Sequence, residues 1–331
     1  MKAIQIRTTG GPEVLEFVDL PTPKPKDDEV LVKAHSIGVG MPDVLVRTGR
    51  YPWMPPMPAV IGIEMSGHVV DKGSKVSNLE VGDAVFVSAR ELAFRGNCYA
   101  QFLCANANAV YSLPSGVDLE AAACLSNYQV AWHLLHSAPN GHRFSSVLVW
   151  GAAGGVGSAI VELAKIAGKD IIALAGSSEK CDFAVDLGAK ACINYKTEDV
   201  AKRIAKLTGS KKGVDLVLDP VGGQDFYRNF NYLAPLGLVI NYGMLKGIPD
   251  PSYAVAMQQR FGDSLGFRFF SMHVFDQSPE RRRAAMEELL PMLATGKIQP
   301  AISLRMPLKD ARQAHELFDS GKILGKLLLK P

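Results

Sequence analysis

Between residues 146 and 168 an apolar run meets a glycine-rich turn and then an amphipathic stretch, and this junction restricts the possible fold more than any other feature of the chain. The run is Ser146-Val-Leu-Val-Trp150 and the turn is Gly151-Ala-Ala-Gly154-Gly155-Val156-Gly157. From Ser158 to Gly168, Ile160, Leu163, Ala164 and Ala167 recur at helical spacing. Glycine permits the sharp turn and lets a pyrophosphate approach the backbone with no Cβ in the way, while the N–H groups at the helix start point at the anion. Strand, turn and helix in this order predict a dinucleotide cradle built on Gly154, Gly155 and Val156.

The second strand selects the cofactor. In an NAD site it ends on Asp or Glu about 20 residues beyond the glycines, where the carboxylate binds the ribose 2′-hydroxyl. Here Asp170-Ile-Ile-Ala-Leu-Ala-Gly176 is followed by Ser177-Ser178-Glu179-Lys180, so no carboxylate stands at the strand end. Hydroxyls and an ammonium suit a 2′-phosphate instead, with Ser177 at the strand end and Lys180 either the point charge that meets the phosphate or an ordinary solvated lysine at a helix start. Glu179 is read as a first-turn helix residue facing solvent. The expected cofactor is NADPH.

A chain of 331 residues exceeds what one core ordinarily supports, and 47% hydrophobic residues suffice for two. The net charge of +3 comes from 36 basic and 33 acidic residues scattered along the chain, which gives no footprint for nucleic acid or anionic lipid. The run Arg281-Arg282-Arg283 is read as a solvated helix face. No apolar stretch approaches the roughly 20 residues of a membrane span, and Met1–Arg7 alternates like a strand, so a cytoplasmic protein is expected. Five cysteines without paired spacing, Cys98, Cys104, Cys124, Cys181 and Cys192, suit reduced thiols.

Up to about Ala123 the chain reads as short β segments punctuated by Gly and Pro, a partly open β-barrel or sandwich. A helix around 120–138 then opens an alternation of strands at 146–150, 170–175, 191–194, 214–218 and 237–242 with helices at 179–187 and 198–208, which predicts a doubly wound parallel sheet. After a β-like segment Phe267–Phe275 come a helix at 279–295, a strand, a helix at 309–319 and a final strand Lys322–Leu329. The fold class is thus α/β, with a dinucleotide-binding domain at 124–269 inserted into a β-rich domain formed by 1–123 and 270–331.

Several motifs carry a family resemblance over essentially the whole length. They are Gly10-Gly11-Pro-Glu-Val-Leu15, Val46-Arg-Thr-Gly-Arg-Tyr-Pro52, Gly62-Ile-Glu64, Val81-Gly-Asp-Ala-Val-Phe86, Ala152-Ala-Gly-Gly-Val-Gly157, Ile193-Asn-Tyr195 and Asp219-Pro-Val-Gly-Gly223. The chain resembles the zinc-independent, zeta-crystallin-like quinone oxidoreductases of the medium-chain dehydrogenases/reductases. The resemblance implies a GroES-like catalytic domain beside a Rossmann domain, and a 2′-phosphate pocket at Gly176, Lys180 and Tyr195. It also implies that Asn241 and Gly243 lie by the nicotinamide, that Asn127 sits on a helix under the cofactor, and that Tyr51 faces the nicotinamide.

Zinc-dependent relatives have Cys and His where this chain has Gly40 and Ile63, so two of the three or more protein ligands that a catalytic zinc needs are missing and no metal site is expected. Without a Lewis acid for an alcohol, the remaining chemistry is hydride delivery to an acceptor that is already electrophilic, a quinone or another conjugated carbonyl. Alternatives are a 2-enoyl thioester or alkenal reductase and a low-turnover NADPH-binding structural protein. Tyr51 either hydrogen-bonds the oxygen that gains charge or simply packs before Pro52. Asn241 either meets the carboxamide or stabilises a turn. The family usually has Asn at Gly40 and Thr at Val130, so the pocket here is more apolar. The seven histidines show no metal-ligand spacing, and a homodimer through edge pairing of Phe267–Phe275 is expected.

Overall fold

The computed structural model describes residues 1–209 and 213–331. Up to Ser126 the elements are β1 (Lys2–Ile6), β2 (Glu16–Asp19), β3 (Glu29–Val39), α1 (Met41–Arg47), β4 (Ala59–Val60), β5 (Glu64–Lys72), β6 (Ala84–Ser88), β7 (Phe102–Asn106), β8 (Val110–Ser112) and α2 (Leu119–Ala122). There follow α3 (Leu125–His136), β9 (Ser146–Trp150), α4 (Gly155–Ile166), β10 (Asp170–Ala175), α5 (Ser178–Leu187), β11 (Ala191–Asn194), α6 (Val200–Thr208), β12 (Val214–Asp219), β13 (Leu233–Asn241), α7 (Tyr253–Gln259) and β14 (Gly266–Phe269). The chain ends with α8 (Pro279–Ala294), β15 (Ile302–Pro307), α9 (Ala311–Asp319) and β16 (Lys326–Lys330).

Two compact units result, one of Met1–Ser126 with Met286–Pro331, the other of Asn127–Ala285. In the first, a small sheet ordered β2-β1-β4 accompanies a seven-stranded one ordered β15-β16-β3-β5-β6-β8, with β7 paired to β3. Ile37 of β3 and Met65 of β5 are buried in a core shared with Ile4, Val87, Tyr99 and Leu327. This is the β-rich, GroES-like domain.

The second unit is a parallel sheet ordered β11-β10-β9-β12-β13-β14. That order is the 3-2-1-4-5-6 of a doubly wound fold, in which ligands bind beyond the carboxyl ends of the strands where the order reverses, here at β9. The strands read as nearly continuous apolar runs because both faces are covered: Val147, Leu148 and Val149 are all fully buried.

Four sequence expectations change. The helix expected around 120–138 is two helices, α2 and α3, with Ala123 capping the first and Cys124 between them. The expected strand Phe267–Phe275 ends at Phe269, because Met272–Phe275 turns into a 3₁₀ helix begun by the Ser271 side chain accepting from the His273 N–H. Residues 270–285, assigned from sequence to the β-rich domain, pack in the second unit, where Arg282 donates to the Phe275 carbonyl and Asp276 and its own carbonyl accepts from Gln129. Arg282 is accordingly buried, so only part of the 281–283 run is a solvated face. No helix among the described residues is long and apolar enough to cross a membrane.

Candidate functional site

β9 stops at Trp150, and Gly151 turns the chain with φ +64°, a conformation that favours glycine. Gly154 then caps α4 in an extended conformation, and no side chain occupies its capping role, so the first N–H groups of this 12-residue helix face outward. Gly157 is required by the packing: a Cβ there would come within 2.1 Å of the Gly151 carbonyl oxygen and 2.8 Å of the Ala152 Cα, both backbone atoms. Gly154, Gly155 and Val156 are each half-buried at the mouth of this turn. Such a bare helix start beneath a glycine turn fits a pyrophosphate.

The ends of three adjacent strands meet beside it. Trp150 ends β9, Gly176 follows β10, and Tyr195 follows β11 with its N–H donating to the Ala175 carbonyl at 3.1 Å. The Tyr195 ring lies 5.4 Å from that of Trp150, and its hydroxyl sits so close over Gly176 that a Cβ there would meet it at 2.7 Å. Ser177 caps α5, its hydroxyl oxygen accepting from the Lys180 N–H at 3.3 Å. The structure therefore sets Tyr195 over Gly176 at the end of β10, where Ser177 and the Lys180 backbone open α5, with Glu179 exposed in the first helical turn. It adds Lys196, whose Cε would be 3.3 Å from that same Cβ. Sequence reasoning missed this second cation; the lysine directly after Tyr195 was its only signal.

Asn241 ends β13 and is 4% exposed. Its amide donates to the Asp219 carbonyl at 3.1 Å, so the turn-stabilising reading has a contact in the structure. Asp219 organises the turn after β12: it accepts from the Gly222 N–H at 2.9 Å, the Val221 N–H and the Asn229 amide. Burial pushes its carboxyl upward against those donors. Gly243 packs against this turn, where a Cβ would approach the Pro220 carbonyl oxygen to 2.7 Å. Asn127 is half-buried near the start of α3.

Tyr51 belongs to the first unit. It follows α1, its N–H donates to the Leu45 carbonyl at 3.1 Å, and its half-buried ring packs against that unit's core 5.8 Å from Trp53. α1 is held from below by Asp43, whose Oδ2 accepts from the Gly40 N–H at 2.8 Å and from the Tyr99 hydroxyl at 3.3 Å. The Tyr99 oxygen lies 3.2 Å from His315 Nε2, and His315 Nδ1 lies 3.1 Å from Arg47. A guanidinium only donates, so Nδ1 carries no proton and Nε2–H donates to Tyr99, which donates to Asp43. Burial pushes the Asp43 carboxyl up to about 7, and burial together with the Arg47 charge pushes His315 down to about 3.

Gly40 and Ile63 are neighbours, as the ligand positions of a metal site must be. A Cβ on Gly40 would lie 3.2 Å from Ile63 Cδ1, so an aliphatic side chain fills the space that donor atoms need. Among the described residues no three His, Cys, Asp or Glu side chains gather as a metal would require.

Residues 26–140 match the alcohol dehydrogenase GroES-like domain and residues 187–329 the zinc-binding dehydrogenase domain. The quinone oxidoreductase of Salmonella typhimurium is 32% identical over 331 residues, covering 99% of both chains. The human quinone oxidoreductase is 31% identical and covers 99% of this chain and 97% of its own. The crystal structure of Escherichia coli quinone oxidoreductase complexed with NADPH superposes with a TM-score of 0.89 at 29% identity, covering all of both chains.

Proposed function

Because this chain belongs to the quinone oxidoreductase family, the zinc-independent branch of the medium-chain dehydrogenases/reductases, we propose that it is an NADPH-dependent oxidoreductase that reduces quinones and related conjugated carbonyls. The observation that carries the cofactor assignment lies at the ends of β9, β10 and β11, where Gly176 lies under Tyr195 beside Lys196, Ser177 and Lys180 open the next helix, and no carboxylate ends the second strand. When bound, NADPH supplies the hydride; the protein contributes binding, orientation and protection from water.

The bare start of α4 holds the pyrophosphate, and Lys180, with Ser177 and Tyr195, meets the 2′-phosphate. Asn127, Asn241 and Gly243 border the nicotinamide. Gly243 lets this segment pack against the turn at Pro220, and Asn241 is held rigid by Asp219. The Tyr51 hydroxyl hydrogen-bonds the acceptor oxygen as charge develops on it, and one such donor is enough because a quinone needs no Lewis acid.

The reading includes a cytoplasmic homodimer. Its support is β14, an edge strand paired only to β13, with Phe269 57% exposed, together with five free cysteines.

Steady-state oxidation of NADPH with a panel of quinones, enones and enoyl thioesters tests the activity; turnover of a small quinone is expected, and inertness toward every acceptor sinks the assignment in favour of a low-turnover binding protein. Lys180→Ala should raise the NADPH dissociation constant about tenfold, the scale of one charge-assisted contact, and leave NADH unchanged. Calorimetry giving equal affinity for both cofactors in the unmodified protein removes the phosphate pocket. Tyr51→Phe should lower turnover about tenfold to a hundredfold with enones, less with quinones, whose reduced anions are stabilised by the ring, and NADPH affinity should hold. Unaltered turnover with every acceptor reduces Tyr51 to packing.

A further inference from the structure

In an NAD-type site the carboxylate that binds the ribose stands at the end of the second strand. Here Gly176 follows that strand, β10, and the space a side chain on it would enter is already taken. A Cβ on Gly176 would stand 2.7 Å from the Tyr195 hydroxyl oxygen and 3.3 Å from Lys196 Cε, one bond short of the ammonium. A phenol and a cation therefore crowd the place of the missing carboxylate.

The turn that carries both residues is held by its own hydrogen bonds. The Lys196 N–H donates to Asn194 Oδ1 at 3.1 Å, and the N–H groups of Thr197 and Glu198 donate to the Asn194 carbonyl at 3.0 and 2.9 Å. From β10 the Ala175 carbonyl accepts the Tyr195 N–H, which fixes the turn against the strand end. Glu198, the acid of this turn, is committed elsewhere: Oε1 accepts from the Asn194 N–H at 2.8 Å and Oε2 pairs with Arg203 at 2.8 Å. Lys196 is exposed and forms no ion pair among the described residues. Its charge is left for a ligand.

We propose that Lys196 is a specificity-determining residue, its ammonium joining the Tyr195 hydroxyl on the 2′-phosphate of NADPH and setting the preference over NADH. The inference rests on the phosphate pocket proposed above and adds to it the cation whose side chain lies over Gly176. A phosphate monoester carries about −1.5 to −2 charge at pH 7, so one lysine leaves part of it unbalanced and a second has a defined task. NADH presents only a hydroxyl at the same place, which gains far less from an ammonium.

Calorimetric titration of the full-length protein with NADPH, NADH and adenosine 2′-monophosphate tests this, the last probe carrying the phosphate without the nicotinamide. Lys196→Ala should raise the dissociation constants for NADPH and adenosine 2′-monophosphate about tenfold and leave NADH unmoved. Lys196→Glu puts a carboxylate where an NAD-type site has one. It should raise the NADPH constant about a hundredfold, because repulsion replaces attraction, without weakening NADH. Lys196→Arg, which keeps the charge, should keep the preference. An NADPH to NADH affinity ratio that Lys196→Ala leaves unchanged overturns the assignment. That holds whether both affinities stay put, as when Lys180 alone meets the phosphate, or both fall together, as for a lysine that only supports the turn. An unmodified protein with no preference for NADPH defeats the phosphate pocket itself, and Lys196 with it.

Discussion

Replacing Lys326 with Met is expected to destabilise the protein by about 3–5 kcal/mol, the cost of leaving a buried charge without its partner. Lys326 is 3% exposed and Glu64 fully buried, and the ammonium of one bonds the carboxylate of the other. Glu64 Oε2 also accepts from the Ser126 N–H at 3.0 Å, so the carboxylate is held on one side by backbone and on the other by charge. The pair spans β5 and β16, and Gly38 of β3 makes room for it: a Cβ there would lie 2.7 Å from Glu64 Oε1. Truncating the lysine alone removes the charge that offsets the desolvation of Glu64. Changing both residues, Glu64→Gln with Lys326→Met, removes both charges and should cost far less, which gives a coupling energy of several kcal/mol in a double-mutant cycle. Urea unfolding of the four proteins measures it. A Lys326→Met loss under about 1 kcal/mol, the range of an exposed pair, would show that solvent reaches the carboxylate.

The legibility of the chain follows the range of the interactions involved. The Gly154-to-Gly157 turn was readable because strand, turn and helix are consecutive, and every steric demand on Gly157 comes from Gly151 and Ala152 a few residues away. The parallel sheet was readable for the same reason, each strand being a short apolar run between helices. Lys196 was not, since its place depends on β10 and β11 lying side by side, a pairing of Ala175 with Asn194 that no local pattern announces. Arg282 looked like one of three solvated cations, yet it is drawn inward by the Phe275 carbonyl and the Asp276 carboxylate. The Asp43, Tyr99 and His315 network was equally hidden: its members are 56 and 216 residues apart in sequence.

That network gives the strongest pH dependence. Asp43 has a folded-state value of about 7 against about 3.9 in an unfolded chain, so the native state holds a proton that the unfolded state has released across this interval. Stability contributed by the protonated carboxyl is complete below about pH 4 and is lost as pH rises through 7, at up to 1.4 kcal/mol per pH unit. His315 runs the other way. Its value falls to about 3 from about 6.5, so its contribution is complete above pH 6.5 and is lost as pH falls toward 3. Between pH 4 and 6.5 the two slopes oppose each other, and the unmodified protein hides both. Asp43→Asn uncovers them. The amide oxygen can keep the Gly40 and Tyr99 donors, while its NH₂ falls where Asp43 Oδ1 now has no partner, a roughly pH-independent cost of about 1–3 kcal/mol. Above that offset, the variant should gain on the unmodified protein by about 3–4 kcal/mol between pH 4 and 8, because it never has to ionise a buried carboxyl. Urea midpoints across this range read the difference directly. A constant gap between the two proteins would mean that Asp43 is ionised throughout, with Lys326, the nearby cation that lowers it, outweighing both burial and the repulsion from Glu64.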